Sequence, residues 1–105
     1  MANPWRGDVA LMINGQPQTM RLTLGALAEL EDNLEAGSLV ELVQRFESSQ
    51  FTSRDVLALL AAGLAGGRCD LPADELEHAQ IEGGPMAAAR AAAELLARAF
   101  VVPGA

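Results

Sequence analysis

The chain has 105 residues, half of them apolar, with a net charge of −7 and no lysine. Its seven arginines lie apart (Arg6, Arg21, Arg45, Arg54, Arg68, Arg90, Arg98), so the concentrated cationic surface that phosphates require is missing, and nucleic acid is excluded as a main partner. A single cysteine, Cys69, excludes an internal disulfide and thiolate metal clusters, and no apolar run approaches the roughly 20 residues needed to span a bilayer.

Residues 8–13 and 16–22 flank Asn14-Gly15, and Asn-Gly between two such runs is a strong short-range hairpin signal. Val9, Leu11 and Ile13 share one face of the first strand, with Ala10 and Met12 on the other. Pro17 lacks a backbone donor, which places the second strand at an edge. Helices follow. The first is expected from about Leu24 to Leu34, capped by Thr23, with Leu24, Leu27, Leu30 and Leu34 as its buried stripe and Glu29, Glu31, Asp32 and Glu35 outside. Gly37 ends it, and Ser38 with Glu41 forms a capping box for the second, whose inner face carries Leu39, Leu42, Val43 and Phe46. After the Ser48-Ser49-Gln50 turn, Thr52 or Ser53 caps a third helix, with Phe51 as a hydrophobic staple. That helix bears Val56, Leu57, Leu59, Leu60 and Leu64 and stops at Gly66-Gly67.

Asp70 and Leu71-Pro72 open a short fourth helix over about 72–80, with Asp74, Glu75 and Glu77 in its first turn. Gly83-Gly84-Pro85 breaks the chain, and a last helix runs from about 86 to 100. Leu95, Leu96 and Phe100 anchor it, and Ala88, Ala89, Ala92 and Ala93 allow close approach by a neighbour. Arg90, Glu94 and Arg98 form a solvated row at i,i+4 spacing. The expected fold is α+β, mainly α: an N-terminal β-hairpin followed by a bundle of four to five short helices. One domain covers 1–105, with the hairpin at 8–22 and the helical part at 24–100.

The chemistry-bearing residues are few. His78, the one histidine, stands beside Glu75 and Glu77 with Glu82 four residues on, and no His or Cys has zinc-ligand spacing. Cys69 follows Arg68 but has no general base nearby in sequence. No phosphate-binding glycine motif and no calcium loop occurs. The reading is of a protein without catalytic, cofactor or metal residues, which works by binding other proteins. The start of the chain does not read as a signal peptide, and a soluble, cytoplasmic protein with no membrane partner is expected.

The order of segments carries a resemblance. Residues 3–9 (Asn3-Pro4-Trp5-Arg6-Gly7-Asp8-Val9) lead into the hairpin at Ile13-Asn14-Gly15. Arg21-Leu22-Thr23-Leu24-Gly25-Ala26-Leu27-Ala28-Glu29-Leu30-Glu31 follows, then Gly37-Ser38-Leu39-Val40-Glu41-Leu42 and Phe51-Thr52-Ser53-Arg54-Asp55-Val56-Leu57. This pattern, with Gly83-Gly84-Pro85 and the Ala-rich last helix, resembles the small tail-cluster protein of alphaproteobacterial gene transfer agents, a phage-tail-derived family regarded as tail assembly chaperones. The resemblance implies a non-enzymatic chaperone that binds the tape-measure protein and assists assembly of the tail-tube protein. A structural tail component retained in the particle is the alternative. A small enzyme or ligand-binding domain is a third reading, with few residues to line its pocket. For partner contact, or for self-association into a homo-oligomer through the hairpin edge, the expected residues are Val9, Leu11, Met12, Ala88, Ala92, Leu95 and Leu96.

Overall fold

The computed structural model describes residues 8–33, 39–68 and 73–99. Expectations placed on Leu34, Glu35, Gly37, the Ser38 cap, Cys69, the Asp70 cap, Phe100, the side chain of Asp74 and both chain ends lie outside the described residues.

Strands β1 (Val9–Ile13) and β2 (Gln16–Met20) pair antiparallel, with Val9 opposite Met20 and Ile13 opposite Gln16. Asn14 and Gly15 join them at φ 53° and 77°, the two positive dihedrals that a type I′ turn demands. Alternation then sorts the strand: Val9, Leu11 and Ile13 are buried while Ala10 is exposed. Pro17 sits opposite Met12, where the peptide groups point away from the partner strand, so its missing N–H costs no ladder bond.

The helices are α1 (Leu24–Asn33), α2 (Leu39–Glu47), α3 (Ser53–Gly66), a single turn α4 (Ala73–Leu76) and α5 (Gly84–Ala99). The mainly helical α+β class expected from the sequence is the class observed. Helix α3 is the centre: α1, α4, α5 and β2 all pack against it, and α5 also covers β1. Its leucines at 59, 60 and 64 are fully buried and meet Met20, Leu30, Leu42, Leu76 and Leu95 in one core. Burying each such side chain stabilises the fold by about 1.5–3 kcal/mol.

Thr23 caps α1 as expected, its Oγ1 accepting from the Ala26 N–H at 3.1 Å. The buried stripe is different. Ala26 and Leu30 face the core at i,i+4, Leu27 is half-buried, and Leu24 is 85% exposed. Leu24 is the first helical residue, and the small Ala26 takes a buried position on the core side, which a count of large apolar residues overlooks. Helix α4 is shorter than the expected 72–80 for a tertiary reason. Residues 80–82 leave the helix to pair with β1: Ile81 bridges Ile13, the Asn14 N–H donates to the Gln80 carbonyl (2.7 Å), and the Glu82 N–H donates to that of Met12 (3.1 Å). Helix α5 starts two residues earlier than expected, because Pro85 fits a first turn, where a missing N–H is harmless.

Glycines 66 and 67 do more than stop α3. A Cβ on Gly66 would overlap the Arg21 carbonyl oxygen, and one on Gly67 the Thr19 carbonyl oxygen. One turn earlier, a Cβ on Gly63 would lie 2.7 Å from Leu95 Cδ1, and the Gly63 carbonyl accepts from the Arg21 N–H at 2.8 Å. The C-terminal end of α3 therefore lies directly on the β2 backbone and covers its outer edge.

Candidate partner-binding surface

The polar groups inside the fold form two ion pairs. Asp8, buried at the start of β1, accepts from Arg21 Nε at 2.6 Å. Asp55 is held from three sides. Arg45 of α2 donates to both carboxylate oxygens at 2.9 Å, and the Thr52 N–H donates to Oδ2 at 2.9 Å. The Asp55 N–H in turn donates to Thr52 Oγ1, completing a capping box that the sequence reading missed. Burial pushes the Asp55 carboxyl upward in pKa, but the hydrogen bonds from Arg45 and the Thr52 backbone, with the arginine's charge, outweigh it and hold it below the usual range. Among the described residues no buried side-chain nitrogen or oxygen lacks a partner. Buried polarity here secures the fold and leaves nothing aimed at a ligand.

His78 is exposed in the turn after α4, as are Glu75, Glu77 and Glu82, and the described residues contain no group of His, Cys, Asp or Glu arranged to hold a metal. On α1, Glu29, Glu31 and Asp32 are exposed, a wet acidic face. On α5, Glu94 meets Arg98 at 3.7 Å.

Of the seven residues expected at a partner surface, Val9, Leu11, Ala88, Ala92, Leu95 and Leu96 are buried within this chain, where α5 packs on α3 and β1, and Met12 is half-buried. Of the four alanines expected to allow close approach on α5, Ala88 and Ala92 are buried, Ala89 is half-buried and Ala93 is exposed. The hairpin offers little open edge: α3 covers β2 at Thr19–Arg21, and residues 80–82 cover the tip of β1, leaving Ala10 exposed. Among the described residues, the large apolar side chains that face outward are Leu24, Val40 (65% exposed) and Met86 (74%), each in the first turn of its helix. The sequence reading did not single out Val40 or Met86 and placed Leu24 in the buried stripe.

No described helix is long and apolar enough to cross a membrane. Fold and surface thus define a small, mainly helical α+β protein whose polar interior is structural. Over residues 6–101 the chain matches the family described as "Phage tail tube protein, GTA-gp10", and it belongs to that family. No curated protein and no solved structure matches it. The family description agrees with the gene transfer agent and phage-tail resemblance of the sequence, and it specifies the tail tube where that resemblance implied an assembly chaperone.

Proposed function

We propose that this protein is a non-enzymatic component of a gene transfer agent tail, acting in the bacterial cytoplasm through contacts with the tail-tube protein and remaining with the tail. The observation that carries this reading is the family match, which spans nearly the whole chain and is described as a tail tube protein. The shortage of acid–base, nucleophilic and metal-binding groups supports a role in contact over one in catalysis.

A second reading, the tail assembly chaperone that binds the tape-measure protein, is favoured by one feature of the surface. Subunits of permanent assemblies present extensive hydrophobic interfaces. Here the large apolar side chains exposed among the described residues are Leu24, Val40 and Met86, which suits an association that forms and dissolves. Co-expression with the tape-measure and tail-tube proteins, followed by affinity pull-down and by quantification of this chain in purified particles, separates the two. Stoichiometric presence in particles with capture of the tail-tube protein supports the first reading. Capture of the tape measure with absence from particles transfers the assignment to the second. Absence from both would overturn tail assembly altogether.

A further inference from the structure

Helix α2 differs from the others in how it is held. The close element pairs of the fold are β1 with β2, α1 with α3, α3 with α5, α3 with β2, α5 with β1 and α3 with α4; α2 belongs to none of them. Its attachment runs through side chains. Leu42 is fully buried, while Leu39, Val43 and Phe46 are half-buried against the core. Arg45 grips Asp55 through both carboxylate oxygens at 2.9 Å, and Phe46 stacks on Phe51 with ring centroids 4.5 Å apart and planes 7° from parallel. Both contacts lie at the same end of α2 and both reach the first turn of α3 or the residues just before it.

The segment between them is a tight, self-contained turn. Ser49 adopts φ 59°, the Ser49 N–H donates to the Phe46 carbonyl at 3.3 Å, and the Gln50 N–H donates to the Arg45 carbonyl at 2.8 Å. This hydrogen-bond pair around a left-handed residue is a Schellman closure, built within α2 and the turn themselves and using no group of another element. The capping hydrogen bonds between Asp55 and Thr52 are made within the first turn of α3 and involve no atom of Arg45.

We propose that α2 is a lid, latched by the Arg45–Asp55 fork, which opens as one unit about residues 48–51 while α1, α3, α5 and the hairpin stay folded. Opening uncovers Leu42 and the core surface it seals, so the apolar stripe of α2 becomes accessible when the latch is broken.

Native-state hydrogen exchange on the full chain, followed across low denaturant concentrations, tests it. Once undocked, a nine-residue helix is too short to persist in water, so the amides of residues 43–47 should share one opening whose denaturant dependence is greater than zero but smaller than that of the interior amides of α3 and α5. Arg45→Gln should speed exchange in α2 by about tenfold, the loss expected for charged hydrogen bonds at a partly exposed site, and change α3 and α5 by less than about twofold. Three results would overturn the lid. One is exchange of α2 only with the global unfolding of α3 and α5. Another is denaturant-independent fraying of single amides. The third is an Arg45→Gln effect spread evenly over α2, α3 and α5.

Discussion

Among single residues, the positions that matter most to this fold are those where nothing fits. Gly67 lies against the Thr19 carbonyl, so Gly67→Ala must push α3 off β2, whereas Gly25 in α1 has no neighbouring heavy atom within 4 Å of the place its Cβ would take. Gly67→Ala is expected to cost about 2–3 kcal/mol, and Gly25→Ala to stabilise by about 0.5–1 kcal/mol through helix propensity. Urea titrations of the two variants give opposite shifts in midpoint if the packing is as described. Ala92 belongs to the same class as Gly67. It is completely buried between α5 and its neighbours, so Ala92→Glu would place an unpaired carboxylate in the core. Loss of the native far-UV circular dichroism is the expected result, and a native spectrum would place Ala92 at a surface instead.

Between elements, the junction of α2 and α3 combines a strained cap with a charged one. Ser49 pays the left-handed backbone cost that glycine avoids, and Ser49→Gly is expected to stabilise by about 0.5–1 kcal/mol, read as a rise in thermal midpoint. Asp55 links this junction to pH. Its folded pKa lies below the ordinary carboxylate value of 3.8, so the unfolded chain takes up its proton first as pH falls. The stability Asp55 contributes is therefore complete above that ordinary value and is lost as pH drops through it towards the folded pKa. Asp55→Asn should cost about 1–3 kcal/mol at neutral pH, where the arginine fork and the capping box both lose their charge. Denaturation of wild type and variant at a series of pH values should show the gap closing on the acid side, and a constant gap would remove Asp55 from the acid response.

For the whole molecule, the body measures 34 × 31 × 23 Å, and among the described residues the large apolar side chains left exposed are Leu24, Val40 and Met86. Substituting each of the three with serine should change folding stability by no more than about 0.5 kcal/mol, because no core contact is removed. If tail partners grip an exposed apolar side chain, at least one of these variants will lose capture of the tail-tube or tape-measure protein in pull-downs while remaining folded. Full capture by all three would move the interface to the polar and acidic surface.

Much of this architecture was legible in the chain itself. The Asn14-Gly15 turn, the inward strand face, the Thr23 cap, a cap for α3 at Thr52 or Ser53, and the leucines of α3 each follow from local turn, capping and periodicity signals, which need no distant partner. The family resemblance was legible too, because it is a pattern of such local signals in order along the chain. Other features depended on contacts across the molecule. Residues 80–82 shorten α4 because β1 offers them an unpaired edge, and Gly66 and Gly67 are required because β2 passes beneath them. The capping box at Asp55 becomes a latch only through Arg45, ten residues away on another helix. The same limit applied to the expected partner surface: Ala88, Ala92, Leu95 and Leu96 have the pattern of a helix that binds another helix, and only the tertiary structure could decide that α3 and β1 of the same chain already occupy that face.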